Sequence, residues 1–168
     1  MKLFFSGFCL ENESELFNDY IIKNDFTVNG FSYGCIKAVE YVLKSTQRID
    51  KIQLFSPSFF NDKDKKYKRL QLMFFNKDNN TYCKNFLKNC GFSKELSNKY
   101  FKLGTLNELE ELLYYQWDND KLQQIKNKNI EIEVYLGSGD KIIDSYKAME
   151  FFKEYADVYL IKNKGHIL

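Results

Sequence analysis

The apolar positions of this chain repeat with two different periods. Five short segments, 2–5, 26–29, 52–56, 130–136 and 158–161, are dense in Phe, Ile, Val and Leu. Their lengths and their bounding Gly, Pro, Asn and Ser residues predict β-strands. Between them the apolar spacing widens to three and four, as an amphipathic helix requires. Asn12 followed by Glu15 has the form of a capping box, and it opens a predicted helix carrying Leu16, Phe17, Tyr20 and Ile21. A second helix runs from Cys35 to near Gln47 with Ile36, Val39 and Leu43 in phase, and Pro57 stops the third strand. From 62 to 128, Phe74, Phe86, Leu87, Leu96, Leu109, Leu112 and Leu113 recur at helical spacing, and Thr105 with Glu108 forms another capping box. A last helix over 143–155 precedes the final strand.

Alternating strands and helices predict an α/β fold with about five mainly parallel strands. Residues 58–128 then form a helical cap insertion after the third strand, within a single domain spanning 1–168. In the fourth strand, Ile130, Ile132, Val134 and Leu136 alternate with Glu131, Glu133 and Tyr135. A parallel strand covered on both faces is apolar throughout, so this one is expected to have a solvated face. Strands ordered in sequence and joined by right-handed crossovers put every connecting helix on one side. The other face is then thinly covered and offers a place for a second copy of the chain, as a homodimer.

Candidate chemistry lies at the strand ends. Gly30-Phe31-Ser32-Tyr33-Gly34 reads G-x-S-x-G between the second strand and the second helix. On such a sharp strand-to-helix turn the serine hydroxyl is exposed, and side chains at the glycine positions would collide with strand or helix. A serine hydroxyl needs a base to take its proton, and that base needs an acid to fix its tautomer. This architecture supplies them in the order serine, acid, histidine. Asp140 follows the fourth strand through Gly137-Ser138-Gly139, and His166 follows the fifth through a short loop containing Gly165. His166 is the only histidine of the chain, so a serine–histidine mechanism has no other base. All three fall at the edge of a parallel sheet where ligands bind. Asp144 is a rival acid, but it falls inside the helical pattern, and Asp140 also has the position of a helix cap. Candidate donors to an oxyanion are the Tyr33 N–H, at the helix start, and the Phe8 N–H, in the loop Ser6-Gly7-Phe8. The alternative for that loop is an ordinary strand-to-helix turn.

Charge and composition narrow the classes. A net charge of +2 argues against general nucleic-acid binding. No apolar run reaches the roughly 18 residues of a membrane span, and the first residues lack the pattern of a signal peptide. The default expectation is a cytoplasmic protein. Cys9, Cys35, Cys83 and Cys90 lack metal-ligand spacing and are few for a disulfide framework, so all four are expected as reduced thiols, with no metal site.

Ser6-Gly7-Phe8, Gly30-Phe31-Ser32-Tyr33-Gly34, Leu54-Phe55-Ser56-Pro57, Gly137-Ser138-Gly139-Asp140 and Gly165-His166 follow one another as in the α/β-hydrolases. The chain resembles a reduced member of that superfamily. Its compact layout, with Lys68-Arg69-Leu70-Gln71-Leu72 and Leu109-Glu110-Glu111-Leu112-Leu113, is similar to the short BioV-type pimeloyl-acyl-carrier-protein methyl ester esterases. The resemblance implies hydrolysis of the methyl ester of pimeloyl-ACP, with release of methanol, in biotin precursor synthesis. It implies Ser32 as nucleophile, His166 as base, Asp140 as its orienting acid, Phe8 and Tyr33 as oxyanion donors, and no cofactor.

Five of the seven residues from 63 to 69 are basic: Lys63, Lys65, Lys66, Lys68 and Arg69. Such a helix can steer an acidic acyl carrier protein toward the site, or it can be no more than a solvated helix face. Phe59, Phe60, Leu72, Phe74, Phe75 and Trp117 can line an acyl channel or only pack the insertion onto the sheet. Two other functions compete with the esterase: an acyl thioesterase or general carboxylesterase with the same three residues, and a non-catalytic module that binds the carrier protein.

Overall fold

The structure, a computed structural model, describes residues 3–168. Strands β1 (Leu3–Phe5), β2 (Thr27–Phe31), β3 (Lys51–Phe55), β4 (Glu131–Gly137) and β5 (Asp157–Ile161) form one sheet in the order β1-β2-β3-β4-β5. All neighbours are parallel. Lys2, expected in the first strand, lies outside the described residues. The second strand runs two residues further than its apolar run suggests, so Gly30 and Phe31 of the glycine–serine motif belong to it. The fold is α/β, with α1 (Tyr33–Lys44) after β2 and α7 (Ser145–Phe152) after β4.

Between β3 and β4 lie α2 (Lys65–Lys77), α3 (Asn79–Cys90), α4 (Lys94–Tyr100), α5 (Leu106–Tyr114) and α6 (Asn119–Asn127). Each starts at an N-cap whose side chain accepts a backbone N–H: Asp64, Asp78, Ser93, Thr105 and Asp118. Thr105 and Glu108 make the full capping box expected of them. Gly91, with φ 100°, ends α3 in the left-handed conformation glycine tolerates. α2 packs on α3 and α5, whereas α6 packs on α1 and β4 as part of the layer against the sheet. Among the described residues no helix is long and apolar enough to cross a membrane.

The predicted helix at Asn12 is not there. Glu13–Phe17 is a single 3₁₀ turn, and Asn12 has φ 61° with no side-chain cap. Glu15 does not turn back on Asn12; it reaches Lys99 and Tyr100 near the end of α4. The segment also crosses the sheet face opposite α1. Phe17 is fully buried with its ring centroid 4.8 Å from those of both Phe31 and Phe55, and the Tyr20 ring lies tilted against Tyr135 at 5.5 Å. These three partners form one row across the sheet. The expectation that every connection lies on one face therefore fails for the first connection, because its aromatic residues cover the second face.

The fourth strand is correspondingly drier than its alternation implies. Glu133 is only 8 % exposed, accepting from Gln53 Nε2 at 2.8 Å and the Tyr135 hydroxyl at 2.9 Å, and ion-paired to Lys51. Burial alone would raise this carboxyl, but Lys51, Gln53 and Tyr135 together hold it below the usual range. Solvent reaches this face mainly at its β5 edge, where Tyr159 is exposed.

The cysteine expectation is corrected as well. Cys9 and Cys83 form a disulfide, with Cα atoms 5.9 Å apart, while Cys35 and Cys90 are buried free thiols. The partners stand 74 residues apart. What joins them is the packing of the loop after β1 on α3, which residue spacing does not encode.

Candidate active site

Ser32 sits at the junction of β2 and α1 with φ 52° and ψ −117°, a conformation L-residues avoid. Packing makes the turn possible. A Cβ on Gly30 would lie 2.6 Å from the Gly34 carbonyl oxygen, and one on Gly34 would lie 1.9 Å from that of Phe5. The strained backbone is pinned on both sides. The Ser32 N–H donates to the Phe55 carbonyl at 2.9 Å, and the Ser32 carbonyl accepts from Cys35 N at 3.0 Å and Ser58 N at 3.3 Å.

The loops after β4 and β5 are tied to each other. Gly139 N donates to the Lys164 carbonyl at 2.8 Å and Asn163 N to Ser138 Oγ at 3.0 Å, while Ile167 N ties the second loop to the end of α3 through the Cys90 carbonyl at 3.2 Å. This brings His166 to the serine. Its Nε2 is 2.8 Å from Ser32 Oγ and its Nδ1 is 2.7 Å from Asp140 Oδ2. Asp140 Oδ1 accepts from the N–H groups of Ile142 and Ile143, which fixes the carboxylate. Asp144, the rival acid, caps α7 by accepting from Tyr146 N and Lys147 N. Ser32 is 1 % exposed and His166 fully buried, with Phe31 at 5.3 Å from the imidazole. In this arrangement the Nδ1–H faces the carboxylate, leaving Nε2 to accept the serine proton.

Tyr33 directly follows Ser32, and Phe8 lies in the loop after β1. Tyr33 is the first residue of α1, so its N–H has no intrahelical acceptor. Among the described residues nothing accepts from the Phe8 N–H. Gly34 packs directly on Phe5 and Ser6, so the loop after β1 abuts the turn that carries Ser32. One residue that the sequence did not signal orders this loop. Glu13 is fully buried, and its Oε1 accepts the Gly7 N–H at 2.7 Å. Burial raises its carboxyl above the usual range, against the opposing bonds from Gly7 and Ser6.

A cavity of about 620 Å³ lies between α2, α3 and α5, and Ser32, Asp140 and His166 are not among the residues that line it. Lys141 and Ile142, directly after Asp140, line it, as does Phe86, whose ring meets the Phe8 ring edge-on at 5.4 Å. Its lining mixes apolar Phe60, Phe74, Leu112 and Leu113 with Gln71, Asn85, Asn89 and Lys77.

The basic run divides. Lys65, Lys66 and Arg69 are exposed on α2, Lys63 is paired with Asp62 at 3.5 Å, and Lys68 is buried. Lys68 lies 5.3 Å from the centre of the Tyr114 ring, and burial lowers its pKa. Among the described residues no group of three or more His, Cys, Asp or Glu residues is arranged to hold a metal ion.

No known sequence family matches this chain, and no curated protein matches it in sequence. Solved structures do match. An esterase, EaEST from Exiguobacterium antarcticum, superimposes with a TM-score of 0.64 at 17 % identity, over 91 % of this chain and 63 % of that one. The fold is that of the α/β-hydrolases. An E-2-(acetamidomethylene)succinate hydrolase gives 0.61 at 9 % identity, over 99 % of this chain and 84 % of its own. BioG from Haemophilus influenzae gives 0.60 at 18 % identity, over 99 % and 88 %. The chain spans 54–63 % of the length of four of the matched hydrolases and esterases, EaEST among them.

Proposed function

We propose that this chain is a serine carboxylesterase that hydrolyses the methyl ester of pimeloyl-ACP. The observation that carries the hydrolase reading is the continuous pair of contacts from Ser32 Oγ to His166 Nε2 and from His166 Nδ1 to Asp140. Ser32 Oγ attacks the ester carbonyl as Nε2 takes its proton, and Asp140 stabilises the imidazolium. The tetrahedral oxyanion is held by the Phe8 and Tyr33 N–H groups. Collapse breaks the C–O bond, and His166 returns the proton to the leaving alcohol as methanol. Water, deprotonated by the same Nε2, then attacks the acyl-enzyme and releases the free carboxylate and Ser32.

Three features support the narrower substrate. The motif layout resembles the short BioV-type enzymes. The cavity beside Asp140 has apolar walls suited to a methylene chain, and its Gln71, Asn85 and Asn89 suit an amide-bearing arm. Exposed Lys65, Lys66 and Arg69 on α2 suit an acidic carrier.

The test is demethylation of pimeloyl-ACP methyl ester followed by mass, beside Ser32→Ala. The expected loss in kcat is roughly 10⁴- to 10⁶-fold. Equal turnover by both proteins would refute the nucleophile. Turnover of simple esters or acyl thioesters but not of this substrate would refute only the carrier-borne methyl ester. Lys66→Glu with Arg69→Glu is expected to lower kcat/KM on the carrier-borne ester at low salt, with a soluble ester unaffected.

A further inference from the structure

Both residues proposed as oxyanion donors place their side chains against the helical segment between β3 and β4. Phe8, 1 % exposed, packs on Phe86 of α3 at 5.4 Å and Phe75 of α2 at 6.2 Å. The Tyr33 hydroxyl donates to Glu111 Oε2 of α5 at 2.5 Å. Lys37, one turn further along α1, places Nζ 2.6 Å from the same carboxylate oxygen and 5.1 Å from the centre of the Tyr33 ring. Lys37 first, and then the Tyr33 hydroxyl, hold the Glu111 carboxyl below its usual range. Burial, reinforced by the bond to Glu111, pushes the phenol up to about 12, so it stays a donor at neutral pH.

As a source of stability this cluster is weak. The side chains of Lys37 and Glu111 are 43 % and 53 % exposed, and ion pairs so open to solvent contribute little. Its placement is more specific than its strength. The next two residues after Glu111, Leu112 and Leu113, are buried and line the cavity between α2, α3 and α5. α5 thus forms a wall of the cavity and also grips the side chain of Tyr33, whose N–H is proposed above as an oxyanion donor.

We propose that Glu111 is a positioning residue for the oxyanion hole, fixing α5 against the Tyr33 side chain so that the Tyr33 N–H keeps its aim. This rests on the serine-esterase reading. Catalysis by such donors depends on placement within a fraction of an ångström. Freeing the phenol removes the one hydrogen bond that ties the Tyr33 side chain to α5, while its ring stays buried and its backbone stays in α1.

The test measures kcat and KM on a soluble ester for wild type, Glu111→Ala, Glu111→Gln, Tyr33→Phe, Tyr33→Phe with Glu111→Ala, and Ser32→Ala. Glu111→Ala is expected to lower kcat about tenfold with KM within twofold, short of the 10²- to 10³-fold loss when an oxyanion donor is removed outright. Glu111→Gln, which keeps an acceptor for the phenol, recovers most of that loss. Tyr33→Phe reproduces the Glu111→Ala loss, and the double variant loses no more than either single one. The Ki of a trifluoromethyl ketone, which binds Ser32 as a hemiketal oxyanion, rises by the factor by which kcat falls. Unchanged kcat in Glu111→Ala, additive losses in the double variant, or a loss confined to KM would overturn the proposal while Ser32→Ala stays inactive. Activity retained in Ser32→Ala would overturn the esterase reading and this proposal with it.

Discussion

Glu13 lies outside the Ser32–His166–Asp140 contacts, yet it connects the pH dependence of stability to the order of the loop that carries Phe8. It is fully buried, its Oε1 accepts the Gly7 N–H at 2.7 Å, and its Oε2 has no partner among the described residues. Glu13→Ala strands the buried Gly7 N–H. A bond to a charged group contributes about 1.5–3 kcal/mol, so the variant is expected to lose about that much stability. Glu13→Gln keeps the acceptor for Gly7 and removes the charge. Because burial raises the folded-state pKa above the ordinary 4.5, the native state binds more protons than the unfolded chain between the two values. Stability from this group is therefore present below about pH 4.5 and is lost as pH rises through the folded-state pKa. Glu13→Gln escapes that loss, so its stability relative to wild type should improve as pH rises from 4.5 through the folded-state pKa. Urea unfolding of the three proteins at several pH values, with m held constant, measures these differences. A Glu13→Gln difference that does not vary with pH, or a Glu13→Ala variant as stable as wild type, would refute the reasoning.

Other outcomes follow from the same geometry. Asp140→Asn leaves the fold intact but gives His166 the wrong tautomer, and kcat should fall by roughly 10⁴-fold with unchanged far-UV dichroism. Gly34→Ala puts a Cβ 1.9 Å from the Phe5 carbonyl oxygen, so calorimetry should show a loss of about 3 kcal/mol, or roughly 6–12 °C in Tm, along with lost esterase activity. Thiol titration in denaturant without reductant should find Cys35 and Cys90 alone, and all four cysteines only after reduction; four reactive thiols at the outset would exclude the Cys9–Cys83 bond.

The parts of this molecule legible in the sequence are those written in local pattern or in obligatory order. The turn at Ser32 announces itself because only glycine fits at 30 and 34. Asp140 and the sole histidine follow because each ends a recognisable strand. The capping box at Thr105 is likewise local. What stayed hidden depends on where distant segments meet. Glu111 is 78 residues from Tyr33, and nothing in a helix of ordinary amphipathic spacing marks it as the acceptor of that phenol. Nothing local marks Glu13, because the expected helix is a single 3₁₀ turn whose Phe17 is drawn onto Phe31 and Phe55. That crossing also hid the state of Glu133, whose charge is accommodated by Lys51, Gln53 and Tyr135 rather than by water. Alternation in β4 correctly marked two unlike faces, but it could not say that one of them carries a buried polar network.

The proposed chemistry rests on Ser32 as a nucleophile activated by His166. Treating the protein with a fluorophosphonate, which phosphonylates an activated serine and releases fluoride, and then locating the adduct by peptide mass spectrometry tests this most directly. One adduct is expected, on Ser32, with labelling slowed by at least about 10³-fold in His166→Ala. An adduct on another serine, or equal labelling rates in the two proteins, would contradict it.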